Sequence, residues 1–150
     1  MEYRILPNTD LRVSRLSFGT MPFGSQADQA TSTRMVDQCF DAGINFFDTA
    51  NMYNKGVAES FLGTALAGRR QRAIVASKVR HRWNDNPQDV GLSQPAILKA
   101  LDATLQRLQK GRYSSSMPRA NRLYRGCETE GGLKPLFWLS QRISQTCHAA

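Results

Sequence analysis

Apolar residues in this chain come in two rhythms that alternate along its first two thirds. Tyr3 to Leu6 and Leu11 to Val13 are short apolar stretches flanking the turn-forming run Pro7-Asn8-Thr9-Asp10, a pattern that predicts a small hairpin. Leu16-Ser17-Phe18 predicts a short strand, halted by Gly19-Thr20, with a loop at Pro22, Gly24 and Ser25. From Thr31 to Ala42 the apolar positions Met35, Val36, Cys39, Phe40 and Ala42 trace one face of a helix, and Gly43 supplies its C-terminal stop. Ile44-Asn45-Phe46-Phe47 predicts a buried strand that ends at Asp48. A second helix follows over Ala58 to Ala67, with Phe61, Leu62, Ala65 and Leu66 inward and Gly68 closing it. Ala73-Ile74-Val75-Ala76 predicts a third strand ending at Ser77-Lys78. After a polar loop reaching Gly91, Ser93 is a suitable N-cap and Pro95 fits the first helical turn. Ile97, Leu101, Leu105 and Leu108 then recur at helical spacing, the clearest amphipathic pattern in the chain.

Strand and helix therefore alternate three times. That order predicts an α/β fold with a parallel sheet, helices packed on it, and right-handed connections. After Gln109 the rhythm breaks. A fourth strand is due, but the sequence reads Lys110-Gly111-Arg112-Tyr113-Ser114-Ser115-Ser116. The apolar run Leu136-Phe137-Trp138-Leu139 stands alone between Pro135 and a polar end. We read residues 1–109 as one unit and residues 110–150 as a basic, poorly ordered tail. A shifted reading frame or a retained intron after Gln109 would give such a change; an ordinary loop before another element is the alternative.

Charge sharpens that division. Residues 1–109 carry 13 Lys and Arg against 10 Asp and Glu, whereas residues 110–150 carry 7 against 2, so most of the +8 net charge lies in the last 41 residues. Basic surface alone attracts nucleic acid or anionic membrane. Here Arg112, Arg119, Arg122 and Arg125 alternate with small and polar residues and form no helical stripe or RNA-binding motif, so nucleic acid is not expected as a partner. Cys39 reads as core, and Cys127 and Cys147 have no metal-ligand spacing, so neither a disulfide framework nor a metal is expected. No apolar run reaches the roughly 18 residues of a membrane span, and the start Met-Glu-Tyr-Arg-Ile lacks an apolar signal stretch. The expected setting is soluble, reducing and cytoplasmic.

In a parallel α/β fold the chemistry lies at the C-terminal ends of the strands. That rule selects Gly19-Thr20-Met21, Asp48 to Tyr53, and Ser77-Lys78. With Asp48, Tyr53 and Lys78 in one pocket, the chemistry of a proton donor follows. A phenol titrates near pH 10 in water, at about its reference pKa. An adjacent ammonium favours the phenolate and so strengthens the acid, while a carboxylate keeps the lysine charged and fixed. Such a donor can protonate a carbonyl oxygen as hydride reaches the carbon, and the hydride needs a cofactor.

The same residues carry a family resemblance. Gly43-Ile44-Asn45-Phe46-Phe47-Asp48-Thr49-Ala50, followed by Tyr53 and by Ala58-Glu59, resembles the signature of the aldo-keto reductases. Leu16 to Met21 is similar to that family's first barrel strand, Leu62-Gly63-Thr64-Ala65-Leu66 to its second helix, Ser77-Lys78 to its third strand end, and Ile97 to Leu108 to its third helix. The resemblance implies the N-terminal hairpin and about three β/α units of a (β/α)8 TIM barrel, an incomplete one, since a full barrel takes about 250 residues. It implies NADPH as cofactor and a small aldehyde or ketone as substrate. Tyr53 would be the general acid, tuned by Lys78 and Asp48, with Gly19, Thr20, Met21 and Asp48 beside the nicotinamide ribose. The family's catalytic histidine ends a fourth strand that is missing here; His81 lies in the wrong place for it. We therefore expect marginal stability and no turnover from these residues alone, or a non-catalytic accessory role for the same fold.

Overall fold

The structure, a computed structural model, describes residues 1–7 and 9–108 and the backbone of residues 136–139. The first two strands, β1 (Tyr3–Ile5) and β2 (Arg12–Ser14), form an antiparallel hairpin with Tyr3 opposite Ser14. The hairpin is fastened to the body by hydrogen bonds. The Tyr3 hydroxyl donates to the Gly43 carbonyl at 2.8 Å. The Asn45 side chain accepts from the Ser14 amide at 2.7 Å and donates to the Arg12 carbonyl at 2.9 Å.

The body alternates strand and helix: β3 (Ser17–Gly19), α1 (Gln29–Asp41), β4 (Phe46–Asp48), α2 (Val57–Ala65), β5 (Ile74–Lys78) and α3 (Gln94–Arg107). β3, β4 and β5 lie side by side and parallel, with Phe18, Phe47 and Val75 in one row across them. Phe47 and Val75 are fully buried, and Phe47 meets Phe18 and Phe40 edge-on at 6.3 and 5.6 Å. Val36 and Cys39 of α1, and Leu62 and Ala65 of α2 with Leu66 just beyond it, complete this core. Ala42, expected on the inward face of α1, is exposed because it lies past the helix end, where the apolar stripe has rotated away.

Helix ends follow their local chemistry. α1 starts two residues before Thr31 because the Asp28 carboxylate accepts from the Thr31 amide at 2.7 Å, an N-cap. It stops at a left-handed Gly43 (φ +77), where Ile44 N–H bonds to Cys39 O and Gly43 N–H to Phe40 O, a Schellman closure. Ser93 caps α3 through its backbone carbonyl, which accepts from Ile97, while its hydroxyl makes no capping bond. Gly63 lets α2 touch the end of α3: a β-carbon there would lie 2.5 Å from the Arg107 carbonyl oxygen.

One element departs from expectation. Leu136–Leu139, expected to stand alone, forms a strand, β6, antiparallel to β5 with Lys78 opposite Leu136. A free strand edge offers a row of unpaired backbone groups, and a short run rich in aromatic side chains is suited to take it. Local periodicity carries no trace of a pairing partner so far away in sequence. Apart from β6, the expected poorly ordered tail over 110–150 lies outside the described residues, and so does the turn residue Asn8. Among the described residues the sheet runs β3-β4-β5-β6 and does not close into a barrel.

Candidate active site

The parallel register brings Gly19, Asp48 and Ala76 level with one another. Beyond them the ladder continues into the loops: Thr20 N–H bonds to Asp48 O at 2.9 Å, Thr49 N–H to Ala76 O at 2.8 Å, and Asn51 N–H to Lys78 O at 3.2 Å. The strand tips are thus a stiff shelf, and the side chains on it have fixed origins.

Three of the residues expected to do chemistry meet there. The Lys78 ammonium donates to the Asp48 carboxylate and, at 3.0 Å, to the Thr49 carbonyl. The same nitrogen lies over the Tyr53 ring, 5.4 Å from its centroid, where the negative face of the ring attracts it. Both charged side chains keep about a third of their surface exposed, at 34% for Lys78 and 33% for Asp48, so reactants can reach the pair. Tyr53 is half-buried and packs against the central core.

The turn that presents Tyr53 is held from two sides. Tyr53 N–H bonds back to Ala50 O at 3.1 Å. Asn54 and Lys55 then adopt left-handed backbone, φ 49 and φ 55, a conformation that costs side-chain-bearing residues energy. The Asn54 amide offsets that cost by donating to Phe23 O at 2.6 Å, which ties this turn to the loop after β3.

The other expected residues sit as follows. Gly19 is exposed, and a β-carbon on it would meet nothing within 4 Å, so open space lies above it beside Asp48. Met21 stands at the rim, 64% exposed. Thr20 is fully buried, and its hydroxyl donates to Asp48 O at 3.1 Å, so its polar group braces the shelf. His81 is exposed in the loop beyond β5.

Behind the shelf is a cluster around Glu59, a residue that entered the sequence reading only as part of the family resemblance and with no role assigned. Glu59, in the first turn of α2, is fully buried. Its carboxylate accepts from the Ser77 hydroxyl at 2.5 Å, the Thr104 hydroxyl at 3.0 Å and Arg107 Nε at 2.7 Å. Arg107 in turn lies over the Trp83 ring, 4.9 Å from its centroid. A signal was present: Glu59 stands between Ala58 and Leu62 on the buried stripe of α2, an acidic residue in an apolar face. Elsewhere, hydrogen bonds from Lys99 and Asn84 hold the Asp89 carboxyl below the usual carboxylate range, fixing the loop between β5 and α3. Burial pushes the Cys39 thiol up, which marks it as an unreactive core residue. No group of three or more potential metal ligands occurs among the described residues, and none of their helices is long and apolar enough to cross a membrane.

The sequence profile described as the Aldo/keto reductase family matches residues 15–113, more than half of the chain. The chain belongs to the aldo/keto reductase family. An uncharacterised oxidoreductase from Bacillus subtilis (strain 168) is 45% identical over 73% of this chain and 37% of its own length. A probable voltage-gated potassium channel subunit beta from Oryza sativa subsp. japonica is 40% identical over 72% of the chain and 34% of its own length. Among solved structures, the holo form of an aldo-keto reductase from Bacillus halodurans superimposes with a TM-score of 0.64 at 40% identity, covering 73% of this chain and 37% of that one. The chain thus spans little more than a third of the length of these aldo/keto reductases. The described architecture is the hairpin and first three β/α units of their TIM-barrel fold, with the sheet open.

Proposed function

We propose that this chain carries the carbonyl-reducing site of an NADPH-dependent aldo/keto reductase, and that alone it lacks enough of the barrel to turn over substrate. One observation carries the reading: a carboxylate at the end of β4, an ammonium at the end of β5 and a phenol from the turn after β4 meet on one accessible shelf. The open space over Gly19, beside Asp48 and the exposed Met21, suits a flat nicotinamide ring and its ribose. When bound, NADPH supplies a hydride to the carbonyl carbon. Tyr53 gives its hydroxyl proton to the carbonyl oxygen, so the carbonyl becomes an alcohol, and the resulting phenolate takes a proton back from water. Lys78 stabilises the negative charge on Tyr53 during that step, and Asp48 keeps Lys78 in place. Gly19, Thr20, Met21 and Asp48 form the floor under the ribose. Small aldehydes and ketones are the substrate class, and the cytoplasm, where the free thiol of Cys39 stays reduced, is the proposed compartment.

A second reading, an accessory binding subunit of the same fold, draws support from the likeness to the potassium channel beta subunit. The two separate in one experiment. Residues 1–108 are joined to the C-terminal two thirds of the Bacillus halodurans aldo-keto reductase, and NADPH oxidation is followed with and without an aldehyde. The chimera is expected to oxidise NADPH only with the aldehyde and to lose on the order of 10²–10⁴ of that rate on Tyr53→Phe. The 150-residue chain is expected to give no such oxidation. A folded chimera that binds NADPH without reducing carbonyls favours the accessory role.

A further inference from the structure

Ser77 and Lys78 are consecutive in β5, and consecutive strand side chains leave opposite faces of the sheet. Lys78 leaves toward Asp48 and Tyr53. Ser77, almost fully buried, leaves toward the helices and donates to Glu59 at 2.5 Å. The chain that carries Tyr53 reaches Glu59 just three residues after Gly56, at the start of α2. Gly56 is itself pressed on Arg107: a β-carbon there would lie 2.7 Å from Arg107 Cδ. One carboxylate therefore joins the Tyr53-bearing segment, the Lys78-bearing strand and the end of α3.

We propose that Glu59 is a positioning residue for Lys78: by gripping Ser77 from behind, it fixes where the Lys78 ammonium sits over the Tyr53 ring. This rests on the reading that Lys78 serves Tyr53. The charge balance supports it. A buried ion pair seldom stabilises a fold more than apolar residues of the same volume would, because both charges lose their water. The Glu59 carboxylate meets its desolvation with three donors, two from α3 and one from β5. The α3 donors alone would join two helices, whereas the Ser77 bond ties them to the residue next to the site. Strand neighbours share one backbone, so a loosened Ser77 lets the β5 tip, and Lys78 with it, shift across the shelf.

The test reads position directly. The full chain is prepared with ¹³C-lysine, and the ε-methylene signal of Lys78 is assigned with Lys78→Arg. A methylene beside an ammonium over an aromatic face is displaced by the ring current; Tyr53→Leu measures how much of the displacement that ring causes. Ser77→Ala and Glu59→Gln are expected to return the Lys78 signal most of the way to that of the exposed Lys55. Val36→Ala, a core change of comparable stability cost, is expected to leave it in place. If Glu59→Gln does not fold, Ser77→Ala alone decides, since it keeps the Glu59–Arg107 pair. An unchanged Lys78 signal in Ser77→Ala, or an undisplaced one in the parent chain, overturns the proposal. Loss of the displacement in a chain whose chimera reduces no carbonyl would leave Glu59 positioning Lys78 and refute only the catalytic reading.

Discussion

Two charged clusters lie back to back across one strand, and they obey different rules. On the shelf, Asp48 and Lys78 are each about one third exposed and share a single ion pair with the ring of Tyr53 alongside. Behind it, Glu59 is fully buried, and every donor around it comes from a residue with little exposed surface. Water screens the first pair, which gives it little hold on the fold but leaves it free to act on a reactant. The second cluster is largely withdrawn from solvent, with only Arg107 partly exposed, so a mismatch around Glu59 is costly. A reacting site placed against a rigid, satisfied one gains precision without giving up access.

Substitutions can break that contrast. The largest effect is expected for Glu59→Ala, which strands the Arg107 guanidinium and the Ser77 and Thr104 hydroxyls. We expect a loss of about 3–5 kcal/mol of unfolding free energy, measured by urea denaturation; a loss under about 1 kcal/mol would show that the cluster is not closed to water. Lys78→Met, in front of the shelf, is expected to change stability by no more than about 1 kcal/mol while abolishing carbonyl reduction in the chimera. Of the two variants, only Lys78→Met should lose activity while keeping stability. The smallest effect tests a buried carboxylate with a single ion-pair partner. Asp89 accepts from Lys99 Nζ at 2.8 Å and from Asn84 at 2.6 Å, and its pKa is lowered. Its contribution is complete above the free carboxylate's pKa of about 3.9 and fades as pH falls through the lower folded value. Unfolding midpoints of the parent and Asp89→Asn, measured from neutral pH downward, are expected to differ at neutral pH and converge in acid. Curves that stay parallel would mean that Asp89 gains nothing from its ionised form.

What was legible in the sequence were the features carried by neighbouring residues. The apolar stripes at Val36 and Cys39, at Leu62 and Leu66, and at Ile97 and Leu105 gave three helices, and the strand-end rule led to Asp48, Tyr53 and Lys78. What escaped depends on distance along the chain or on a backbone twist. Glu59 finds Ser77 18 positions away and Thr104 45 positions away, separations that no periodicity registers. The pairing of β6 with β5 is of the same kind. Asn54 is of a type that tolerates left-handed backbone and its amide has a carbonyl to reach across the loop, whereas Lys55, which follows it into the same conformation, gives no such sign by type. The early start of α1 was legible in principle, since Asp28 stands three residues before Thr31 as a capping side chain should.

The direction of β6 has a consequence for how this pocket could be completed. A parallel neighbour would deliver its outgoing end beside Lys78, but β6 runs the other way, so its incoming end, at Leu136, lies level with that lysine. On this flank the sheet therefore presents beside Lys78 the start of a strand, not the strand end at which a parallel α/β sheet carries its chemistry.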